Sequence, residues 1–282
     1  MTTQPTQVPG PMSTLGEGPV WDGQEQALYW LDIPENRLHR MDAGGSFASW
    51  DVGQSPGAVV PRASGGLVVA ARDGFMAMDL ATGHLTTLAA VEQDRAETRM
   101  NDGACDRTGR FFAGTMAADE SPGLGTLYRL DPDLSVTALV TGLGTSNGIG
   151  WSPDERLMYY IDSQDYQVDM FDFDPATGEI DGRRRFAAVG GGDVMPDGLT
   201  VDADGDVWVA VWGGGAVLRH DTGGRRRESV ELPADLVTSC AFGGPDLDRL
   251  YISTAAGPGT LGGALFVCEP GVTGQPSHPF RG

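Results

Sequence analysis

One polar position recurs along this chain, and the side chains found there are of the kinds that bind hard cations. Each lies five residues before a turn, and together they are Glu17, Asn101, Asn147 and Asp197. Two weaker copies of the pattern place small residues at the same position, Gly57 and Ser239. If the fold brought them together, two carboxylates and two amides would offer the oxygen ligands that Ca²⁺ and similar ions prefer. The chemistry therefore depends on whether these positions converge.

The spacing of the six positions predicts a ring-shaped β fold. Successive positions are 40, 44, 46, 50 and 42 residues apart, and each interval contains short apolar runs such as Ala27–Asp32 and Leu157–Asp162. These runs are rich in β-branched and aromatic residues and are separated by turn residues. We therefore predict an all-β, six-bladed β-propeller, a single domain over residues 1–282, with blades starting near residues 17, 57, 101, 147, 197 and 239. The first strand of each blade lines the channel of a propeller, so the six positions would meet on one axis.

The last repeat supplies only three clear strands, so another segment must complete its blade. Two segments are candidates, Gln7–Thr14 near the start of the chain and Ser277–Arg281 near its end. Either would close the ring and remove an exposed strand edge that would otherwise invite aggregation.

Composition and charge limit the partners of this protein. The net charge of −20 argues against nucleic acid, because neutralising phosphates requires basic patches. The first residues lack the apolar stretch of a signal peptide, and no segment approaches the roughly 20 apolar residues of a membrane span. The three cysteines have no metal-type spacing and suit a reduced compartment. We expect a cytoplasmic monomer or weak homo-oligomer with no nucleic-acid or membrane partner.

Other motifs carry less chemistry than the recurring polar position. Asp202–Asp206 begins like a calcium loop, but Gly213 stands where an EF-hand needs Glu. Metal-type histidine pairs, a nucleophile elbow and a phosphate-binding glycine loop are all missing from the sequence. The polar ring could instead bond neighbouring backbone or channel water. Two converging carboxylates favour a cation, because without one of these ions a carboxylate would have to take up a proton.

Eight short stretches, spread over nearly the whole chain, carry a family resemblance. They are Gly16–Trp21, Arg99–Gly103, Arg110–Met116, Ser146–Trp151, Tyr160–Asp162, Pro196–Leu199, Trp208–Ala210 and Thr238–Gly244, which read GEGPVW, RMNDG, RFFAGTM, SNGIGW, YID, PDGL, WVA and TSCAFGG. In this order they resemble the SMP-30/gluconolactonase/LRE-like family, which includes regucalcin and sugar lactonases. The resemblance implies that one divalent cation is ligated by Glu17, Asn147 and Asp197.

The same resemblance implies a substrate pocket beside the cation. Arg99 and Asn101 would bind the hydroxyl and carbonyl groups of the substrate. An acidic residue after the Ala-Gly-Thr-Met strand, often Glu in the family, would also reach the sugar, and Asp119 is the nearest match, with Glu120 beside it. The segment Ala255–Leu261 is shorter than in regucalcin-like members, which would change a loop at the rim.

These expectations together predict an enzyme. We expect divalent-metal-dependent hydrolysis of a sugar lactone, of the gluconolactone or pentonolactone type, to the aldonic acid, with Asp197 as the general base. The ligand types are compatible with Ca²⁺, Zn²⁺, Mn²⁺, Mg²⁺ or Fe(II). Two alternatives remain: a related propeller that cleaves other esters or phosphotriesters, and a non-catalytic calcium-binding propeller.

Overall fold

Six antiparallel sheets of four strands each make up the described residues, 4–257 and 261–282, of this computed structural model. The first strands of successive blades lie side by side, and the first strand of the last blade packs against that of the first blade. The ring is therefore closed, and the prediction of a six-bladed β-propeller is confirmed. Within the described residues the only helical element is a short 3₁₀ turn, η1 (Ser163–Asp165).

Blades 1 to 3 run from the channel outwards in chain order. Blade 1 contains β2 (Gly16–Asp22), β3 (Ala27–Asp32), β4 (Arg37–Asp42) and β5 (Phe47–Asp51). Blade 2 contains β6 (Pro56–Pro61), β7 (Leu67–Ala71), β8 (Gly74–Met78) and β9 (Leu85–Ala90). Blade 3 contains β10 (Thr98–Cys105), β11 (Phe111–Ala117), β12 (Gly125–Leu130) and β13 (Val136–Leu143).

Blades 4 and 5 follow the same order, whereas blade 6 is assembled from two parts of the chain. Blade 4 contains β14 (Ser146–Trp151), β15 (Leu157–Asp162), β16 (Gln167–Phe173) and β17 (Ile180–Ala188). Blade 5 contains β18 (Met195–Val201), β19 (Val207–Trp212), β20 (Ala216–His220) and β21 (Arg226–Glu231). Blade 6 contains β22 (Val237–Gly243), β23 (Arg249–Thr254), β24 (Phe266–Cys268) and, outermost, β1 (Thr6–Gln7).

The ring is closed by the N-terminal candidate segment. Thr6 pairs with Val267 and Gln7 with Phe266, so β1 is the fourth strand of blade 6. This strand begins one residue before the predicted segment Gln7–Thr14 and ends at its first residue. The other candidate, Ser277–Arg281, forms no strand of a blade and has a different role, described below.

The polar turn positions of the sequence pattern close the hairpins between first and second strands. Asp106 accepts hydrogen bonds from the backbone N–H of Arg110 (2.9 Å) and from its Nε (2.6 Å). Asp202 accepts from the N–H of Asp206 (2.9 Å) and from Trp208 Nε1 (3.0 Å). Because both aspartates are fully buried, these bonds satisfy carboxylates that would otherwise be costly to bury.

The apolar core lies between the blades. Each pair of adjacent blades shares one cluster of buried apolar side chains. Phe75 of blade 2 meets Phe111 of blade 3, and Phe112 of blade 3 meets Trp151 of blade 4, each edge to face with 5.3 Å between ring centroids. Such contacts on both faces of each sheet explain why the second strands are largely apolar. They also hold the first strands in fixed positions around the channel.

Residues 274–282, here called the strap, cross the end of the channel at which the first strands finish. The strap hydrogen-bonds to every blade, through the backbone carbonyls of Trp21, Pro61, Gly109, Trp151 and Leu247 and a bridge from Gly274 to Asp202. Phe280 of the strap is fully buried in the cluster between blades 2 and 3. A cavity of about 150 Å³ lies in the channel above Gln275–His278. The strap therefore closes one end of the channel and links all six blades.

The described residues include no helix with the length and apolar character needed to cross a bilayer. Part of the rim segment predicted to be short, Ala255–Leu261, lies outside the described residues.

Replacing Phe280 by Ala tests whether the strap is part of the core. We expect the free energy of unfolding to fall by about 3–5 kcal/mol, because a fully buried aromatic ring is removed and a cavity remains. Urea denaturation followed by tryptophan fluorescence measures this. Phe47→Ala is the matched control, because Phe47 is 39 % exposed and should cost far less. Equal losses in the two variants would show that the strap is merely laid on the surface.

Candidate active site

The first strands are irregular at the end of the channel opposite the strap, here called the site face. Pairing with the second strand skips two residues in four blades, between Glu17 and Val20, Met100 and Gly103, Ser146 and Ile149, and Pro196 and Leu199. Bulges of this kind turn side chains out of the regular alternation of a strand. Each predicted ring residue lies at or within one of these shifts, so the irregularity directs it towards the axis.

Glycines next to the ring residues allow neighbouring first strands to approach closely. A Cβ added at Gly148 would lie 2.6 Å from the backbone nitrogen of Leu199, and one added at Gly198 would lie 2.8 Å from Ser239 Cα. Real Cβ atoms do not tolerate such contacts with backbone. The Asn-Gly and Asp-Gly pairs at 147–148 and 197–198 therefore combine a functional side chain with the close approach that directs it inwards.

A chain of hydrogen bonds joins blades 3 and 4 across the site. Arg99 Nη1 donates to Asn101 Oδ1 (2.7 Å), and Asn101 Nδ2 donates to the carbonyl of Ser146 (2.8 Å) and to Asn147 Oδ1 (3.3 Å). Asn147 Nδ2 donates in turn to Ser163 Oγ (2.9 Å). Asn101 and Asn147 are 8 % and 5 % exposed, so the chain fixes the orientation of two buried amides.

Three carboxyl groups share the low-dielectric interior of the channel. Burial raises the pKa of Glu17 to about 8, and the neighbouring Asp102 adds to the rise. Burial raises the pKa of Asp197 well above its usual range, with further rises from Glu17 and then Asp102. Burial also raises the pKa of Asp102 to about 6. In the protein alone, these groups cannot all be ionised near neutral pH, because each charge disfavours the others.

Arg99 supplies positive charge to the same region. Burial lowers the pKa of Arg99, and the carboxyl groups of Glu17, Glu120 and Asp197 oppose that shift. The guanidinium therefore interacts electrostatically with carboxyl groups from blades 1, 3 and 5. It is placed to bind an oxygen of a ligand that lies between them.

The residues at the axis fit a hard cation. Asp197 Oδ1 is buried and accepts no hydrogen bond within the described part of the chain, which leaves a carboxylate oxygen free for a ligand. Glu17, Asn147 and Asp197 offer oxygen atoms only, as Ca²⁺ or Mg²⁺ requires. No cluster of three or more His, Cys, Asp or Glu side chains placed for a metal occurs among the described residues. The candidate set here is different in kind, with two carboxylates and an amide.

The structure separates the two acidic residues that follow β11. Asp119 is exposed and its Oδ1 accepts a hydrogen bond from the N–H of Ser121 (3.0 Å), so it closes a turn in this structure. The acidic residue that interacts with Arg99 is Glu120. A substrate role for Asp119 stays a prediction. The difference depends on a loop conformation in which Glu120 has a φ of 62°, which the sequence pattern does not specify.

Sequence reasoning also missed Asp102 and the η1 turn. Asp102 lies in the same bulge as Asn101 and lines the channel cavity, and its place inside the Arg99–Gly103 motif was the available signal. The η1 turn is capped by Asp162, whose carboxylate accepts hydrogen bonds from the N–H groups of Gly144 (2.8 Å) and Thr145 (2.9 Å). This turn places Ser163 against Asn147, and nothing in the period of the repeats marked it.

Comparison with known proteins agrees with this geometry. The sequence profile described as "SMP-30/Gluconolactonase/LRE-like region" matches residues 15–256. This chain belongs to that family. Regucalcin from Gallus gallus is 38 % identical over an alignment of 284 positions that covers 95 % of each protein.

Solved structures of family members share the fold over the whole chain. A calcium-binding protein, regucalcin, from Agrobacterium tumefaciens superposes with a TM-score of 0.94 and 29 % identity, covering 99 % of this chain and 98 % of the other. A luciferin-regenerating enzyme superposes with a TM-score of 0.91 and 30 % identity over the full length of both chains. The sequence resemblance to the family is thereby confirmed.

The buried carboxyl groups predict how stability depends on pH. An acid whose pKa is raised on folding stabilises the folded state below its unfolded pKa, and this stabilisation is lost as the pH rises through the folded value. For Glu17 that window runs from the ordinary value of 4.5 to about 8. In the presence of a chelator we expect Tm to fall by several degrees between pH 5 and 8, since about 1 kcal/mol corresponds to roughly 2–4 °C in a chain of this size.

The matched control for this experiment is the double variant Glu17→Gln/Asp197→Asn. Burial lowers the pKa of His39, His220 and His278, which changes stability in the opposite direction over the same pH range. Subtracting the double variant's Tm profile from that of the wild type removes this contribution. A difference that does not change with pH would show that the two carboxyl groups are well solvated.

Proposed function

We propose that this protein hydrolyses a sugar-derived lactone with the help of one divalent cation held by Glu17, Asn147 and Asp197. The observation that carries the proposal is a pair of carboxyl groups, the half-buried Glu17 and the buried Asp197, beside the guanidinium of Arg99, which Asn101 orients. A cation allows both carboxylates to ionise, and the adjacent donors suit a ligand rich in oxygen. Membership of a family named partly for gluconolactonase supports the same reaction.

In the proposed mechanism, carbonyl polarisation and proton transfer are carried out by different groups of the site. When bound, the cation supplies Lewis-acid polarisation of the lactone carbonyl and stabilises the negative charge that develops on its oxygen. Asp197 accepts a proton from the attacking water as the new C–O bond forms. It returns that proton to the ring oxygen as the ring C–O bond breaks, which gives the open hydroxy acid. Oδ1, which accepts no hydrogen bond within the described residues, would bind the cation, and the second oxygen of the Asp197 carboxylate would accept and return the proton.

The substrate would be bound by hydrogen-bond donors and acceptors that surround the channel mouth. Arg99 offers a planar fork of N–H groups to hydroxyl or carbonyl oxygens. Asn101 holds one end of that fork through its own Oδ1, so the guanidinium is oriented before a ligand arrives. An acidic side chain from the loop after β11, either Asp119 or Glu120, would accept hydroxyl protons from above. A small polyhydroxylated ring, such as gluconolactone or a pentonolactone, matches this set of groups.

A panel of substrates tests the proposal directly. Chelated protein is assayed with gluconolactone, pentonolactones, an acyl-homoserine lactone and a phosphotriester, before and after addition of single divalent metals. We expect sugar lactones to be hydrolysed only after metal is restored. A preference for the phosphotriester or the acyl-homoserine lactone would overturn the substrate assignment. Calcium binding without hydrolysis of any of these compounds would favour a non-catalytic calcium-binding protein instead.

Replacing Asp197 by Asn separates proton transfer from metal binding. The amide keeps an oxygen for the cation but cannot accept the proton, so kcat should fall by about 10²–10⁴-fold. Steady-state kinetics measure the loss, and titration calorimetry with Ca²⁺ or Mn²⁺ checks that the cation still binds. Asp193→Asn, the same change at an exposed position, is the control and should retain full activity. An Asp197→Asn enzyme of near-normal rate would mean that this carboxylate is not the base.

Replacing Arg99 by Ala distinguishes sugar recognition from catalysis. The loss of charged hydrogen bonds should lower kcat/KM for gluconolactone by about 10–100-fold, with a much smaller effect on unsubstituted δ-valerolactone. Arg107→Ala, on the exposed strap face, controls for loss of charge alone. Similar losses for both lactones would assign Arg99 to the carbonyl oxygen or to support of Asn101.

A further inference from the structure

The loop between β11 and β12, residues 118–124, reaches the site face because β11 runs from the strap face back to the site. Glu120 lies at the turn of this loop, exposed and with a φ of 62°. A left-handed backbone is disfavoured for a residue with a side chain and persists when neighbouring groups hold it. Within the loop itself, the N–H of Glu120 donates to the carbonyl of Ala117 (3.1 Å).

The neighbouring blade supplies a second hold on this residue. Gln164, in the η1 turn of blade 4, donates from Nε2 to the backbone carbonyl of Glu120 (2.9 Å) and to Thr145 Oγ1 (3.2 Å). Its own backbone N–H is bound by the carboxylate of Asp162 (3.3 Å). The side chain therefore extends from a capped turn in one blade to a strained residue in the next.

The space for this connection is created by Gly144. A Cβ added there would lie 2.6 Å from both Cδ and Oε1 of Gln164. No positive φ is recorded for Gly144, so the backbone itself would accept Ala. Position 144 must therefore be glycine because the Gln164 side chain occupies the space that a Cβ would need. Replacing Gly144 by Ala would displace the Gln164 side chain while leaving Gln164 itself unchanged.

We propose that Gln164 is a positioning residue that holds the turn at Glu120 in place on the site face and thereby sets the preference for lactones that carry hydroxyl groups. The proposal rests on the proposed lactone hydrolysis at this site. Gln164 contacts Glu120 through the backbone carbonyl, so its proposed effect on the substrate is exerted through Glu120. The Glu120 carboxylate interacts electrostatically with Arg99, so together the two side chains would offer a ring hydroxyl an acceptor and a donor.

Kinetics with two lactones test the role in selectivity. In Gln164→Ala we expect KM for gluconolactone to rise about 5–10-fold, the equivalent of one lost hydrogen bond, with kcat changed less than about twofold. Values for unsubstituted δ-valerolactone should not change. Gln164→Glu, which keeps the shape but loses the donor, should behave in the same way. A fall in kcat for both lactones would overturn the proposal, because it would place Gln164 in support of the catalytic groups.

A glycine pair and a double variant make the test specific. Gly144→Ala should reproduce the effect of Gln164→Ala, whereas Gly23→Ala, at a glycine with open space around it, should have none. In a Glu120→Ala background, Gln164→Ala should cause no further loss, because the residue it positions has been removed. Independent, multiplicative losses would contradict a role through Glu120.

Hydrogen exchange tests, independently of catalysis, whether Gln164 holds the loop at Glu120; this connection is here called the brace. Amides of residues 118–124 should exchange faster in Gln164→Ala and Gly144→Ala than in the wild type or Gly23→Ala. Unchanged exchange would overturn the brace even if lactones are hydrolysed. If the wild type hydrolyses no lactone, the selectivity role falls with the proposed function, and faster exchange would still establish the brace between the two blades.

Discussion

The rest of this structure depends on two carboxyl groups that share one axis, the half-buried Glu17 and the buried Asp197. Neither can ionise cheaply in the low-dielectric channel, and each makes ionisation of the other harder. The proposed divalent cation would remove that conflict, so its binding and the ionisation of the two carboxyl groups would occur together. Arg99 and the two amides, Asn101 and Asn147, complete a set of groups oriented by hydrogen bonds before any ligand is present. Such preorganisation is what an oxygen-rich transition state requires.

The propeller holds this set through packing away from the axis. Six apolar clusters fix the blades against one another, and the bulged ends of the first strands convert that fixed ring into inward-directed side chains. The proposed metal ligands come from blades 1, 4 and 5 and the proposed substrate-binding residues from blade 3, so the spacing between the two sets depends on the angle between blades. Closure of the ring and the strap across its far end both restrain that angle.

The period of the sequence was sufficient to predict the propeller and the places of Glu17, Asn101, Asn147 and Asp197, because inner strands occupy equivalent positions in every blade. It could not identify Glu120, whose orientation depends on a left-handed turn, or Gln164, whose partner lies in the next blade. Contacts between loops of neighbouring blades leave no periodic trace. The choice between two segments for the outer strand of blade 6 was open for a similar reason. Both segments cover an edge of the ring, and pairing distinguishes them only in three dimensions.

The seam at β1 and β24 has a consequence for how the chain folds. Thr6 and Val267 lie 261 positions apart in sequence, so their pairing closes a loop that contains nearly all the other strands. Contacts of such separation form slowly, because the entropy of loop closure is lost before they contribute. During synthesis, one side of blade 1 stays uncovered until blade 6 has been made, and the strap is made after blade 6. The step that creates the enclosed, low-dielectric channel is therefore late. Glu17 and Asp197 are brought into this environment, where their charges repel, only after most of the core has formed.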